Sequence, residues 1–386
     1  MGSKGKGDRL RAVKGMYDML PPDSRRLRQV EQLSHDILGR YGYVEARTPI
    51  VEYTPLFCRS IGDDTDIVEK EMYTFDDRNG KSLSLRPEGT ASVVRAYVAA
   101  AMHKIEPTTR WYYFGPMFRH ERSQRGRYRQ FYQLGAEALG ADKPGVDAEM
   151  IAMLVQLLQE LGLEGLRVHL NTLGCPECRP GYRAALMAYL TPRETELCDD
   201  CKRRFVNNPL RVLDCKVKGC QEVADAAPTS LEHTCSACRE HWDGLMGDLG
   251  LLEVEVRQDN RLVRGLDYYT RTTFEVISDA GDLGSQNTIA GGGRYDGLVR
   301  ELGGPATPAV GFAMGLERLL LALGPHRPPL PAVAQVALVT RGDRAREVAV
   351  IQAARLRKIG LRVDIDHRAG SMKSQMKRAD KLGAAA

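Results

Sequence analysis

Residues 111–137 read WYYFGPMFRHERSQRGRYRQFYQLGAE, and the rest of the chain is interpreted from them. Two segments rich in aromatic residues, Trp111–Phe118 and Gln130–Gly135, are typical of β-strands. Like charges close together repel one another unless they bind a polyanion. An arginine at the end of a strand can bind a phosphate through two parallel hydrogen bonds. The stretch therefore predicts a hairpin that binds an anionic ligand, with a solvated, positively charged hairpin as the alternative. The loop between the two segments carries Arg119, Arg122, Arg125, Arg127 and Arg129.

Composition describes an ordinary globular protein. The chain has 386 residues, of which 43% are hydrophobic and 27% charged, and this length favours two or three domains. The formal net charge of +5 is mild, so nucleic-acid binding would depend on local patches. No apolar run approaches the ~20 residues that cross a bilayer, and no apolar segment follows the basic N-terminus. We therefore expect a cytoplasmic protein with a disordered basic tail over residues 1–8.

The N-terminal part predicts a helix followed by an edge strand. Apolar residues recur at helical spacing over Arg25–Tyr41. Tyr43–Ile50 follows as a strand, and Pro49 places its end at an edge or an interface because proline cannot donate to a sheet. Glu88 and Thr90 lie where a later strand gives way to a helix. Such ends often carry ligand contacts on a rigid base, although a helix cap explains the pair equally well.

Eight of the nine cysteines fall within residues 175–250, which we interpret as an inserted module. Before it, Asp147 is expected to cap the helix Ala148–Leu161, and after it Leu251–Val256 alternates like a strand. Two Cys-x-x-Cys pairs have zinc-ribbon-like spacing, and a reducing compartment disfavours disulfides. Small buried residues without a metal are the alternative. The predicted ligands of a structural zinc are Cys175, Cys178, Cys198 and Cys201.

Two segments after the insertion suggest ligand contacts. In Leu262–Thr270, Arg264 precedes a glycine on a tight bend, and Tyr268 and Tyr269 would point to opposite faces of an extended chain. In Ile289–Gly297, three consecutive glycines let the backbone approach a ligand, and Arg294 and Tyr295 would supply polar contacts. A plain hairpin or bulge is the commoner cause of such a glycine run.

The C-terminal third predicts a further anion contact and a small parallel-sheet domain. The strand Gly311–Gly315 leads into a helix that carries Arg318 in its first turns, where the helix dipole favours anions over cations. A bound phosphate or other anion would explain that position. A proline-rich linker over residues 325–333 precedes a strand–helix–strand–helix pattern over residues 334–386. Two strands and two helices bury little surface, so this second domain is expected to be incomplete.

Together these segments resemble a class II aminoacyl-tRNA synthetase, and within that class a bacterial-type histidyl-tRNA synthetase. The three class motifs occur in order: the helix and strand ending at Pro49, Phe118–Glu121 with its loop, and the strand and helix ending at Arg318. Leu262–Thr270 and Ala290–Leu298 resemble the signatures of the histidine branch. The match spans about residues 9–386.

The resemblance implies an α/β fold. Its α+β catalytic core, over residues 9–324, would be an antiparallel sheet flanked by helices and interrupted by the helical, cysteine-rich insertion. The part over residues 334–386 would be a partial anticodon-binding domain. The resemblance also implies a homodimer built on the Pro49 stretch.

The resemblance implies that L-histidine and ATP form histidyl-adenylate and that histidine then passes to tRNA(His), with Mg²⁺ on the ATP phosphates. Such catalysis rests on positioning and charge neutralisation, with Arg119 and Arg264 as catalytic residues. The acceptor end of the tRNA would meet Gln124 and Arg129. The implied ATP ligands are Arg119, Glu121, Arg127 and Arg318. The implied histidine ligands are Glu88, Gly89, Thr90, Arg119, Gln133, Glu137, Arg264, Tyr268, Tyr269 and Tyr295.

Two other functions are compatible with parts of this pattern. A synthetase-like regulatory subunit of ATP phosphoribosyltransferase would bind histidine without charging tRNA, but such proteins lack the tail domain and lose catalytic arginines. A class II synthetase for another amino acid is disfavoured by the Arg264–Tyr269 segment. The absence of a GxxxxGK[ST] loop excludes a P-loop enzyme.

Overall fold

The computed structural model describes residues 10–62, 65, 67–122, 124–266, 268–279, 287–324, 329–368 and 370–385. The expected basic tail over residues 1–8 and the first half of the expected linker lie outside these residues. The chain divides into two compact units, Met1–Arg327 and Pro328–Ala386.

Unit 1 mixes helices and strands throughout its length. Its helices are α1 (Asp23–Arg40), α2 (Thr54–Ile61), α3 (Thr90–Ala99), α4 (Pro144–Glu160), α5 (Arg179–Leu190), α6 (Asp199–Asn207), α7 (Leu210–Leu213), α8 (Lys218–Asp225), α9 (Ser236–Leu251), α10 (Leu298–Glu301) and α11 (Leu316–Leu323). Its strands are β1 (Val44–Glu45), β2 (Val51–Tyr53), β3 (Tyr73–Asp76), β4 (Ser82–Leu85), β5 (Thr109–Phe118), β6 (Gln130–Leu139), β7 (Leu166–Thr172), β8 (Val256–Gln258), β9 (Thr270–Ser278), β10 (Thr288–Arg294) and β11 (Ala309–Gly315).

An eight-stranded sheet with the order β1-β5-β6-β11-β10-β9-β7-β8 organises unit 1. The six strands from β5 to β7 in this order pair antiparallel, and only the edge strands β1 and β8 pair parallel to their neighbours. A second, three-stranded sheet has the order β2-β4-β3. The predicted antiparallel sheet flanked by helices is thereby confirmed.

The two faces of the central sheet differ in chemistry because side chains alternate along each strand. On one face Leu134, Phe312 and Phe274 contribute to the main hydrophobic core, together with residues of α1, α4, α9 and α11. On the other face the register aligns Gly135 with Ala313, and Ala313 with Gly291. Small residues at these positions leave space above the sheet, so the second face forms the floor of a cleft.

Two local predictions differ from the structure. The expected strand Tyr43–Ile50 reduces to two residues of β1, because the chain then leaves this sheet and joins the smaller one as β2. Leu251 is the last residue of α9, whose residues Leu245 and Leu249 are buried at helical spacing, so the expected strand at Leu251–Val256 is wrong. Only Val256–Gln258 forms a strand there.

Unit 2 has the expected strand–helix–strand–helix order. Its strands are β12 (Val336–Leu338) and β13 (Val363–Ile365), and its helices are α12 (Asp343–Lys358) and α13 (Met372–Leu382). The two strands pair parallel, as a crossover through a helix requires. Across the described residues of both units, no helix is long and apolar enough to span a membrane.

Candidate active site

Glu137 is the centre of a buried polar cluster on the cleft face of β6. The Thr90 hydroxyl donates to its Oε1 at 2.7 Å, and the Tyr295 hydroxyl donates to its Oε2 at 2.5 Å. Glu137 is only 1% exposed. Burial raises the pKa of Glu137 to about 8, although the hydrogen bonds from Tyr295 and Thr90 favour the ionised form. The cluster therefore brings together three of the predicted histidine ligands from β6, α3 and the turn after β10.

Aromatic rings connect this cluster to Arg264. The ring centre of Tyr268 lies 5.6 Å from that of Tyr295 and 4.8 Å from that of Tyr269. The guanidinium carbon of Arg264 lies 5.8 Å from the ring centre of Tyr269. All three tyrosines are buried. The predicted histidine ligands of the Leu262–Thr270 segment thus adjoin those of β6 and β10.

Glu88 acts as a helix cap. Its Oε2 accepts from the backbone N–H of Thr90 at 2.6 Å, and its Oε1 accepts from that of Ala91 at 2.8 Å, which satisfies donors at the start of α3. The helix cap that the sequence analysis gave as an alternative for Glu88 is therefore present in the structure. Burial also raises the pKa of Glu88. Each carboxylate oxygen keeps a second lone pair, so the cap leaves Glu88 able to accept from a ligand.

Tyr113 belongs to the same cluster and was missed from the sequence. Its cross-strand partner in the sheet is Gly135, and a Cβ on either Gly135 or Gly89 would overlap its ring. Gly89, a predicted histidine ligand, also makes room for Tyr113 because it has no side chain. The signal was available, because alternation along β5 places Tyr113 on the same face as the partner of Glu137.

Arg119 and Gln133 line a cavity of about 330 Å³ beside the polar cluster. The Nε of Arg119 donates to the carbonyl of Pro87 at 2.9 Å, and its guanidinium lies 5.4 Å from the ring centre of Phe131. These two contacts hold the guanidinium of Arg119 at the wall of the cavity. Gln133 Oε1 is buried and has no hydrogen-bond partner among the described residues. An unpaired buried acceptor of this kind is available to accept a hydrogen bond from a ligand.

Arg127 and Arg318 line both this cavity and a larger one of about 750 Å³. Arg127 Nη1 lies 3.4 Å from Glu121 Oε2, and Arg318 Nε donates to the carbonyl of Thr288 at 3.1 Å. Burial, and then the positive charge of Arg127, lower the pKa of Arg318. A buried guanidinium beside a second positive charge indicates a site for an anion.

Arg264 lines the larger cavity together with Arg127 and Arg318. Its Nη1 donates to Glu275 Oε1 on β9, and its guanidinium lies directly over Gly291. A side chain at Gly291 would displace this guanidinium. The four arginines predicted to contact ATP or histidine therefore face two adjoining cavities on one face of the sheet.

Gln124 and Arg129 lie in the arginine loop itself. Gln124 and Arg127 exchange two backbone hydrogen bonds of 3.0 and 2.9 Å, which closes a tight turn. The Arg129 Nε donates to the carbonyl of Glu121 at 3.3 Å, and its backbone N–H donates to the carbonyl of Gly15. The loop therefore packs against the N-terminal segment.

Arg294 does not face the cleft, which corrects its expected role as a ligand contact. It is fully buried, and its Nη2 donates to Asp147 Oδ1 at 2.7 Å. His241 also lies 2.6 Å from Asp147 Oδ2. Although burial alone would raise it, the His241 hydrogen bond and the Arg294 charge hold the pKa of Asp147 below its usual value. Asp147 is thus an internal counter-ion and not the expected helix cap, because its partners arrive from distant parts of the chain.

The cysteines of the insertion form two groups. The predicted ligand pairs fall into different groups, so the four do not share one site as the sequence suggested. In each group the four sulfur atoms lie within 4.8 Å of one another. The first cysteine cluster is Cys175, Cys178, Cys235 and Cys238, and the second cysteine cluster is Cys198, Cys201, Cys215 and Cys220.

The antiparallel sheet, its small-residue cleft and the arginines from separate segments define a class II aminoacyl-tRNA synthetase. Residues 15–319 match the family model described as histidyl-tRNA synthetase, and residues 335–386 match the model described as anticodon binding domain. The chain belongs to the histidyl-tRNA synthetase family.

Similar proteins support this family assignment over nearly the whole chain. The histidine–tRNA ligase of Syntrophotalea carbinolica is 51% identical over 96% of this chain and 88% of its own length. That of Trichlorobacter lovleyi is 51% identical over 96% of this chain and 87% of its own length. The crystal structure of apo S. aureus histidyl-tRNA synthetase is 37% identical, with a TM-score of 0.80 over 97% of this chain and 90% of that one.

Proposed function

We propose that the cleft of unit 1 activates L-histidine with ATP, releasing pyrophosphate, and then transfers histidine to tRNA(His). One observation supports this above all others. A buried carboxyl and tyrosine cluster around Glu137 adjoins two cavities lined by Arg119, Arg127, Arg264 and Arg318. That juxtaposition suits a polar amino acid held next to a triphosphate.

The nucleotide would occupy the arginine-lined cavities. Arg119, anchored on Pro87 and Phe131, would hold the α-phosphate. Arg127 and Arg318 would share the β and γ end and the stack on adenine, which offsets the repulsion between them. Glu121 would meet the adenine while it orients Arg127.

Arg264 would stabilise charge that grows on the α-phosphate as the histidine carboxylate attacks. Its pairing with Glu275 and its position over Gly291 fix the guanidinium before substrate arrives. No enzyme nucleophile is needed, because the substrate carboxylate itself forms the bond to phosphorus while pyrophosphate leaves. Positioning and charge neutralisation supply the rate.

The histidine side chain would occupy the polar cluster. Glu137, Tyr268 and Tyr295 would contact the imidazole, and Glu88 and Thr90 would take the α-amino group. Gln133 Oε1, which lacks a protein partner among the described residues, would accept from the amino-acid end of the substrate. A site that hydrogen-bonds both ring nitrogens rejects analogues that lack them.

Two metals belong to this proposal. ATP use in this family involves Mg²⁺, and Glu275 in the larger cavity would offer it a carboxylate oxygen, the kind of ligand it prefers. Mg²⁺ would neutralise phosphate charge. The thiols of the insertion would hold zinc in a structural role, since neither cysteine cluster lines the two cavities.

The remaining partners are tRNA and a second copy of the chain, in the cytoplasm. Gln124 and Arg129, in the loop beside the smaller cavity, would meet the acceptor end of the tRNA. The homodimer would form through the Pro49 stretch. Large apolar residues exposed there are Val44, Ile50, Val51 and Tyr53. Sedimentation of the native protein and of the Ile50→Asp variant would test this face, because only the variant should run as a monomer.

Amino-acid-dependent exchange between ATP and pyrophosphate tests the function. Histidine alone among the twenty amino acids should support exchange. Exchange with another amino acid would reassign the substrate. Histidine binding without any exchange would instead favour the regulatory subunit of ATP phosphoribosyltransferase.

Replacing Arg264 with alanine should reduce this exchange by about 10²–10³-fold, the usual cost of removing one preorganised group from a developing charge. Histidine binding measured by calorimetry should survive, because Glu137 and its tyrosines remain. An Arg264→Ala protein with undiminished exchange would remove Arg264 from the mechanism.

A further inference from the structure

We propose that the insertion holds two zinc ions, one in each cysteine cluster, and that together they brace the segment that carries Arg264. This extends the proposed function by naming what positions one of its arginines.

The distances between sulfur atoms fit tetrahedral thiolate zinc. Cys175 Sγ lies 3.5 Å from Cys178 Sγ and 4.0 Å from Cys235 Sγ, and Cys198 Sγ lies 3.8 Å from Cys215 Sγ. Four sulfurs at about 2.3 Å from a zinc ion are about 3.8 Å apart from one another. A disulfide would require about 2.05 Å, and the eight cysteines of the insertion form no disulfide. An iron–sulfur cluster has several irons between its cysteines and would spread the sulfurs further apart.

Backbone donors support the thiolates in both clusters. The N–H of Cys235 donates to Cys178 Sγ at 3.1 Å, and the N–H of Cys198 donates to Cys220 Sγ at 3.1 Å. Cys178, Cys198 and Cys235 each stand immediately before the first residue of a helix, where the helix dipole favours negative charge. The same arrangement occurs twice, at unrelated places in the chain, which indicates two built sites and not chance proximity.

A bound metal would stabilise the short helices of the insertion, which have little apolar core of their own. Helices α6, α7 and α8 have nine, four and eight residues, too short to be stable alone. Three of the buried side chains that hold them together are themselves cysteines of the second cluster, Cys201, Cys215 and Cys220. Zinc binding contributes folding free energy directly in such small modules.

The second cysteine cluster supports the Arg264 segment from α7 and α8. Arg211 Nη2 in α7 donates to the carbonyl of Gly265 at 2.9 Å. Arg261 donates to the carbonyl of Leu213 at 3.4 Å and to Asp225 Oδ1 at 3.0 Å. Arg264 lies between these two anchored residues, so its backbone is held from the insertion on both sides.

The first cysteine cluster supports the same segment from β7. Backbone hydrogen bonds of 2.7 and 2.9 Å join Arg271 to Leu173 and Gly174, directly before Cys175. Asn171 on the same strand donates from Nδ2 to the carbonyl of Leu262 at 3.0 Å. Loss of either ion should therefore loosen residues 261–266.

Metal content distinguishes this arrangement from a single site made of the two predicted pairs. The full-length protein should contain about two zinc ions per chain by mass spectrometry. Cys235→Ser and Cys220→Ser should each lower this to about one, and Cys58→Ser, at the cysteine outside the insertion, should leave it at two. Fewer than two ions in the native protein, or full zinc in Cys235→Ser or Cys220→Ser, would overturn the assignment.

Amide hydrogen exchange tests the bracing without substrates, so its result is independent of whether histidine is activated. In Cys220→Ser, exchange at Arg261 and Leu262, whose N–H groups donate to Asp259, should accelerate by about tenfold or more, with Cys58→Ser unchanged. Unchanged protection there after loss of zinc would refute the bracing. If Cys220→Ser does not fold, chelator titration of the native protein supplies the same comparison, because zinc removal should deprotect this segment before β5 and β6.

Discussion

At the scale of single residues, Glu137 shows how burial changes the pKa of a carboxyl that faces a ligand site. Two hydroxyl donors favour its ionised form, and burial opposes them and prevails, which leaves its pKa at about 8. In an empty cleft at neutral pH the group therefore carries a proton. An imidazole, whose own pKa lies near 6.5, can share that proton across a hydrogen bond. In the proposed binding mode, recognition of the histidine side chain would then rest on proton sharing as much as on shape.

Replacing Glu137 with glutamine should flatten the pH dependence of stability. Between the ordinary value of 4.5 and the folded value of about 8, the folded protein keeps a proton that the unfolded chain releases. The free energy of unfolding of the native protein should thus fall as pH rises through this window, by up to about 1.4 kcal/mol per pH unit from this group. Urea unfolding of both proteins across the window measures the difference.

The comparison isolates Glu137 because other buried carboxyls are common to both proteins. Glu317, whose pKa burial raises to about 7, contributes equally to each and cancels. Equal slopes in the two proteins would mean that Glu137 is ionised in the folded state.

At the scale of elements, the glycines of β10 determine where Arg264 can lie. The three atoms nearest to a methyl group at Gly291 would all belong to the Arg264 guanidinium, which can shift away from Glu275 because it is the end of a long side chain. Gly291→Ala should therefore leave thermal stability nearly unchanged. It should lower ATP–pyrophosphate exchange by about 10²-fold, because displacement of a catalytic group by about 1 Å has this cost.

Gly247→Ala is the matched control. Gly247 lies on the exposed face of α9 with nothing within 4 Å of an added Cβ, so alanine there should keep full exchange and raise helix stability by up to about 1 kcal/mol. If Gly291→Ala unfolded the protein or kept full exchange, the floor of the cleft would have a different role.

Elements with strong periodicity could be predicted from the sequence, and contacts between distant segments could not. The β5–β6 hairpin follows from its own alternation, and Arg119 and Arg127 are recognisable because they stand in its loop. The pairing of Cys175 with Cys235 depends on how the helices of the insertion pack, which no local spacing reveals. The position of Asp147 before an apolar run is typical of a helix cap. Its actual partners, Arg294 and His241, come from remote parts of the chain and cannot be recognised from the local sequence.

The same difference between local patterns and contacts across the fold applies to the residues of the proposed site. Arg318 was placed by a local argument about the helix dipole, whereas Tyr113 needed the register of β5 against β6. Sequence reasoning thus found five of the charged residues that line the cavities, Arg119, Glu121, Arg127, Arg264 and Arg318. It missed the residues that shape the space around them.

At the scale of the whole molecule, charge is distributed unevenly between the two units. Residues 328–386 hold 12 Lys and Arg against 5 Asp and Glu, an excess larger than the +5 of the entire chain. The remainder is therefore slightly acidic. A basic unit attached to an acidic one indicates that unit 2 is the part that attracts nucleic acid.

Removal of residues 328–386 should reduce the charging of tRNA much more than the activation of histidine. All site residues discussed above belong to unit 1, so histidine-dependent exchange should fall by less than about threefold. Charging of tRNA should fall by about 10²-fold or more, because the basic surface is lost. Both rates are measured on the full chain and on residues 1–327. Equal losses in the two assays would contradict a separable role for unit 2.

The strand order of the central sheet has a consequence for synthesis on the ribosome. The middle strand β11 lies between β6 and β10 but is the last of the sheet to be translated. Until it emerges, β6 and β10 each present an unpaired edge, which is a template for aggregation. The nascent chain should therefore engage a chaperone from the appearance of β6 until β11 closes the sheet, and the cleft can exist only after that final insertion.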